Sequence, residues 1–299
     1  RSMPSKVRIY PEIRIPSPLA QTWQTFRRNS RAMTGLWIFT FLIVCALLGP
    51  SLASYDPFSQ NANALLLPPS WDSNGSLHYF LGTDDLGRDI LSRLLYGAQL
   101  TFGSALAACF LAMVIGSGIG VIAGMQHGLI SSILYHMLDV LLSIPSLLLA
   151  IVLVSVMGAS LENALLAITL ALTPQFIRAS FNAVREVANK EYIIAVRLDG
   201  STPWRILRLA ILPNILDVLV TQTTRGLSAA ILDISAVCFL GIGAQSPLPE
   251  WGTMLADSLD LAYISPWNVA LPGLAITVSV VATNMVGDGL RKALQQGLE

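Results

Sequence analysis

Apolar and polar positions along this chain do not alternate at a short period. They come in long blocks. A membrane-crossing helix needs about 20 mostly apolar residues, and several blocks reach that length. The first runs from Ala32 to Leu52, "AMTGLWIFTFLIVCALLGPSL". Others cover Ala98–Gly124, about Ser132–Met157, about Leu161–Phe181, and Pro266–Val286. Between the last two lies an apolar stretch from Pro213 to Gln245. As one helix it would measure roughly 50 Å at 1.5 Å per residue, too long for a single crossing of about 30 Å. The reading is therefore a short interfacial helix followed by one span, and six spans in all.

Polar blocks punctuate the spans. Residues 1–31 read as a basic tail, in which Arg1 and Ser2 stand ahead of Met3 as an appended remnant. Residues 53–97 form a mixed segment. It ends in "LGTDDLGRDILSRLLYG", where Thr83 is the expected N-cap, with Asp84 and Asp85 in the first turn of an amphipathic helix. Ile90, Leu91, Leu94 and Leu95 supply its apolar stripe. Residues 98–290 form the core membrane domain, interrupted by a polar loop at 184–213, and 291–299 form a second tail. Gly116, Gly120 and Gly124 recur every fourth residue, a spacing that lets another helix approach closely. Pro145, Pro174 and Pro272 are expected to kink their spans.

Composition agrees with this class. The chain has 299 residues, is 54% hydrophobic and only 12% charged, against about 25% charged in soluble domains. Its formal net charge is zero, so nothing points to nucleic acid. The placement of the cations is more informative than their sum. Fifteen of the 18 Lys and Arg fall in the N-terminal tail, the stretch from Arg178 to Arg208 and the C-terminal tail, two (Arg88 and Arg93) fall in 53–97, and Arg225 lies within a span. Six spans with both termini cytoplasmic satisfy the positive-inside rule. Residues 53–97 are then external and 184–213 internal.

Candidate chemistry is sparse. Cys45, Cys109 and Cys238 sit inside apolar runs with no metal-ligand spacing. His78, His127 and His136 are scattered, and there is no HExxH, GxSxG or GxxxxGK[ST]. Asp84, Asp85 and Asp89 lack an EF-hand spacing and are read as caps and partners of Arg88 and Arg93, so no metal site is expected. Charges within spans are costly and are functional candidates by default. Asp139, Asp217, Arg225 and Asp233 are the candidates for lining a substrate path. Arg225 lies eight residues from both Asp217 and Asp233, so neither is its neighbour on one helix face.

The segment "EYIIAVRLDGSTPWRILRLAILPN", Glu191–Asn214, reads as two short helices at an angle. Gly200 ends the first. Thr202 caps the second, and Pro203 occupies its first position. Pro213 suits the start of the next element.

This segment resembles the EAA loop of ABC-importer permeases. Aligned on Gly200, the EAA triplet falls on Ile194, Ala195 and Val196, and the closing I-x-L-P falls on Ala210, Ile211, Leu212 and Pro213. Ala195, Gly200, Leu212 and Pro213 match, whereas Ile194, Val196 and Ala210 depart. Ile194 stands where the pattern has glutamate, with Glu191 or Asp199 as the substitute acid. "LGTDDLGRDILSRL" (81–94), "ILDISAVCFLGIGAQSPLPEWGTML" (231–255) and "NMVGDGLRKAL" (284–294) resemble the second, C-type permease subunit of dipeptide and oligopeptide transporters. "AVRLDGS", "HMLDVLLSIPSLLLAI" and "TRGLSAAILD" are most similar to its Sap branch.

The resemblance implies an all-α type I ABC-importer transmembrane fold in a bacterial inner membrane. It implies a paralogous second permease, two cytoplasmic ATPase subunits that bind ATP and Mg, and a periplasmic peptide-binding protein. Glu191, Ala195, Arg197, Asp199, Gly200, Leu212 and Pro213 would then contact the ATPase, and this chain would perform no covalent chemistry. Three other classes stand beside this one. An ion-coupled secondary transporter would use acids such as Asp233 as proton carriers, but no inverted repeat is visible. A Sap-like carrier of polyamine or haem differs only in cargo. A membrane scaffold would show no substrate-dependent ATPase activity with its partners.

Overall fold

The computed structural model describes residues 18–126, 128–198 and 200–296. Among these the chain is helical, with one isolated β-bridge between Thr83 and Asp89. Five helical runs are long and apolar enough to cross a bilayer: Ser30–Leu52, Ile90–Met125, Leu161–Ala188, Pro203–Phe239 and a last helix from Pro266 to Gln296. A sixth candidate is a bent pair of helices. Its halves, beginning at Ser131 and Ser146, meet at 89°. Of the three prolines expected to kink spans, Pro145 stands at this break, whereas the helices run on through Pro174 and Pro272.

In chain order, α1 is Pro18–Arg28 and α2 is Ser30–Leu52. α3 is Ile90–Gly97, continued by a π-helical turn over Ala98–Gly103 into α4, Ser104–Met125. α5 is Leu129–Leu142, α6 is Ser146–Met157 and α7 is Leu161–Ala188. α8 is Glu191–Leu198 and α9 is Pro203–Ile206. A second π turn over Leu207–Ile211 joins α9 to α10, Leu212–Phe239. α11 is Trp251–Ser258 and α12 is Pro266–Gln296.

The glycine spacing of α4 has the expected consequence. A Cβ on Gly116 would stand 2.6 Å from Phe176 Cβ, and one on Gly124 would stand 2.9 Å from Val184 Cβ. One on Gly120 would overlap Ser180 Oγ and the Ile177 carbonyl. Three glycines thus let α4 and α7 pack backbone to backbone, where dispersion contacts replace a hydrophobic drive that lipid cannot supply. Phe176 is fully buried and also presses on Gly226 of α10. Large side chains around the bundle, including Trp37, Phe41, Phe110, Ile122 and Val156, stay exposed, as surfaces that meet lipid or a partner do.

Three boundaries differ from the sequence reading. Within the stretch read as a tail, residues 18–28 form α1, which places Leu19, Trp23 and Phe26 at helical spacing and seats Phe26 against Ala32 and Ala293. The stretch from Pro213 to Gln245 holds no separate interfacial helix. α10 runs unbroken to Phe239, and α9 leads into it through the π turn. The helix expected after Thr83 begins at Ile90, capped by Asp89, whose carboxylate accepts from the Ser92 N–H at 2.9 Å. Thr83 is buried elsewhere, its hydroxyl donating to the Ala64 carbonyl and accepting from the Leu67 N–H.

Asp84 is the hub of a buried turn. It accepts from Arg88 Nε at 2.6 Å and lies 3.6 Å from Arg93 Nε. Arg93 also donates to the carbonyls of Pro57 and Pro247, tying 53–89 to the segment between α10 and α11. At this end Glu250 is fully buried and caps α11, accepting from the Thr101 hydroxyl at 2.7 Å and the Thr253 N–H at 2.8 Å.

Candidate functional site

The opposite end of the bundle carries the Glu191–Pro213 segment. Its two-helix form follows from three local choices. Gly200 adopts φ +79°, a left-handed conformation that costs other L-residues roughly 1–2 kcal/mol. Thr202 caps α9 by accepting from the Arg205 N–H, and Pro203 opens it. α9 then passes through its π turn into α10 without a break.

The hairpin is fastened from beneath. Ile193 of α8, together with Ile206, Leu207, Ile211 and Ile215, packs with Val184, Val187 and Ala188 from the end of α7. Ile193, Ile211 and Ile215 are fully buried. Val121 and Met125 of α4 close the cluster. A push on the hairpin must therefore be felt by α4, α7 and α10 together, since a close-packed interior shifts as a unit.

The outward face is different. Glu191, Tyr192, Ile194, Ala195, Arg197 and Leu198 are exposed on α8, and Trp204 and Arg205 on α9. Leu198 is 84% and Trp204 69% exposed. Among the residues resembling the EAA pattern, Gly200 forms the turn, and Leu212 and Pro213 open α10 on its exposed side. Asp199 lies outside the described residues. Glu191 and Arg197 have no ion-pair partner among the described residues. Apolar side chains, led by Leu198 and Trp204, and the basic groups Arg197 and Arg205 thus project from a seated hairpin, which suits a groove on another protein.

The four charges within spans do not converge. Asp139 of α5 pairs with Arg178 of α7 at 2.6 Å, and the Arg178 guanidinium lies over the Tyr135 ring. Asp233 of α10 is buried and accepts from the Ser146 hydroxyl at 3.0 Å, at the first residue of α6 after the break. Asp217 is half-buried, and its carboxylate has no partner among the described residues. Arg225 is exposed beside Thr221, Asn284, Asp288 and Arg291, in a polar notch between α10 and α12. Sequence reasoning missed Ser146 and Arg178, although a polar residue following Pro145 and a cation within an apolar run were both visible.

Comparison with known proteins places this arrangement. Residues 116–299 match the family described as "Binding-protein-dependent transport system inner membrane component", and residues 17–69 match "N-terminal TM domain of oligopeptide transport permease C". The chain is 50% identical to the peptide transport system permease protein SapC of Salmonella typhimurium, over 97% of its own length and 98% of the relative. It is 48% identical to SapC of Escherichia coli O6:H1, with the same coverage. It is 41% identical to the di/tripeptide transport system permease protein DppC of Pseudomonas aeruginosa, over 97% and 95%. The transmembrane fold is similar to that in an inward-facing structure of the MetNI methionine ABC transporter, with TM-score 0.54 and 22% identity over 68% of this chain and 96% of that one. The chain is an ABC-transporter permease: it belongs to the family of binding-protein-dependent transport system inner membrane components and stands within it beside the SapC and DppC permeases.

Proposed function

We propose that this permease carries peptides across a bacterial inner membrane, as one half of a path completed by a paralogous permease and driven by two ATPase subunits. A periplasmic binding protein would deliver the substrate. The observation that carries the reading is the α8–α9 hairpin, with a fully buried underside and an exposed face that offers Trp204, Leu198 and Arg197. The names of the relatives at 41–50% identity support peptide as cargo.

The positive-inside rule orients the chain. Arg27, Arg28, Arg31, Lys190, Arg197, Arg205, Arg208, Arg291 and Lys292 belong to the hairpin end, so that end faces the cytoplasm and residues 53–89 face the periplasm. Glu191, Ala195, Arg197, Asp199, Gly200, Leu212 and Pro213 then meet the ATPase, whose closure turns the hairpin and the spans fastened to it. ATP and Mg are bound by the ATPase subunits. Arg225 and Asp217, without partners among the described residues, are the charges free to face the path or the second permease. Asp139 and Asp233 are engaged within the chain.

The test is reconstitution of the whole assembly in nanodiscs or vesicles, measuring ATPase rate and uptake against peptides, haem and polyamines. Peptide-stimulated, ATP-dependent uptake is expected. Uptake that persists without ATP would sink the reading in favour of ion coupling.

A further inference from the structure

Where α1 turns into α2, a cleft of about 310 Å³ opens, lined by Thr25, Arg28, Asn29, Gly289 and Lys292. Every side chain on its wall is polar, apart from the bare backbone at Gly289. Its two cations come from different elements, Arg28 from the last turn of α1 and Lys292 from the last turns of α12. Both are exposed, and neither has an ion-pair partner among the described residues.

The depth of the cleft is set by the spans. The apolar run of α2 begins at Ala32, and Arg28 and Asn29 precede it by about one helical turn, some 5 Å. This is the level at which the hydrocarbon gives way to headgroups. α1 has the composition of a helix lying at that level. Phe26 anchors it to Ala32 and Ala293, Leu19 and Trp23 remain exposed, and Arg27 and Arg28 end it. Tryptophan beside cations at a membrane boundary is the pattern of an interfacial helix. A phosphate placed in the cleft would meet charge from both sides, at the depth where phospholipid headgroups lie.

We infer that the α1–α2–α12 junction binds the phosphate headgroup of an anionic phospholipid, with Arg28 and Lys292 as the paired cations. An inorganic anion would meet the same two charges but lacks the acyl chains that hold a phospholipid in the adjoining bilayer, so the two sources of phosphate are separable.

The full chain would be purified in detergent, stripped of lipid and exposed to mixed micelles of phosphatidylglycerol and phosphatidylethanolamine. The retained lipid would be quantified by mass spectrometry. Wild-type protein should retain phosphatidylglycerol selectively, and R28Q/K292Q should lose that selectivity by about thirtyfold, the order expected for two cation–anion contacts at a membrane surface. R27Q/R31Q removes the same charge outside the cleft and should keep most of the selectivity, and so should the charge-conserving R28K/K292R. Inorganic phosphate should neither displace the lipid nor raise the melting temperature, whereas phosphatidylglycerol should raise it. Equal loss in the two charge-removing variants would overturn the site. Displacement by phosphate alone would overturn its assignment to lipid. If R28Q/K292Q fails to fold, a photoreactive phosphatidylglycerol must label residues 25–29 and 289–292 of the wild type, and labelling elsewhere would count against the proposal.

Discussion

The hydroxyl of Ser146 donates to the buried carboxylate of Asp233 at 3.0 Å, joining the first residue of α6 to the last third of α10. This bond links the bent α5–α6 pair to the helix that continues into the hairpin. Ser146→Ala should lower stability by about 1 kcal/mol, read as a drop in melting temperature in nanodiscs. Asp233→Asn keeps an acceptor for the hydroxyl, so the variant should transport at close to the wild-type rate. If Asp233 were a proton carrier, Asp233→Asn would abolish transport while leaving the melting temperature in place, and that pattern would refute the tether.

At Gly200 the obstacle to substitution is conformational and not steric. A Cβ there would meet nothing within 4 Å, yet φ is +79°. Gly200→Val should fold and insert, at a cost of roughly 1–2 kcal/mol or more, and should lose much of its substrate-stimulated ATPase activity and uptake. Gly200→Asn, which visits the left-handed region more readily, should lose less. Wild-type coupling in the valine variant would remove this turn from the force path.

The α4–α7 seam makes the opposite prediction. Gly120→Ala would drive a methyl into Ser180 and the Ile177 carbonyl, whereas Gly118, two residues away, faces open space. Gly120→Ala should cost about 1–3 kcal/mol of overpacking, and Gly118→Ala should cost nothing measurable. Thermal unfolding of the pair in the same detergent decides it. Equal melting temperatures would mean that the seam is looser than described.

Glu250 gives the protein a pH dependence. Burial raises its pKa above the ordinary glutamate value, partly offset by hydrogen bonds from Thr101 and from the N–H groups of Thr253 and Gly252. The folded state therefore holds the proton more tightly than the unfolded chain does. The resulting stabilisation is complete below the ordinary carboxylate range and is lost as pH rises through the raised value. Melting temperature should fall as pH rises above the ordinary glutamate range in the wild type, and the slope should flatten in Glu250→Gln. An unchanged slope would assign the dependence to another group.

The sequence was legible wherever one physical demand dominated. Span length was readable because the bilayer has a fixed thickness. The glycine ladder was readable because only a bare backbone permits so close a seam. The hairpin was readable because Gly200, Thr202 and Pro203 each have a single strong local use. What misled was competition between plausible uses. Thr83 and Asp89 are both good caps, and the tertiary bonds of Thr83 to Ala64 and Leu67 decided between them. Apolar length between 213 and 245 does not say whether a helix stops or simply runs on. The pairing of Asp139 with Arg178, 39 positions away, depends on how α5 folds back on α7, and no local pattern encodes that.

The unbroken run from Pro203 to Phe239 has a mechanical consequence. Its 37 residues make a rod roughly 55 Å long, with the hairpin at one end and the Leu240–Glu250 loop at the other. Pivoted near the hairpin, such a rod converts a tilt of about 10° into a sweep of about 10 Å at its far tip. The π turn at Leu207–Ile211 sits at the short arm, where a small irregularity alters the aim of the whole lever.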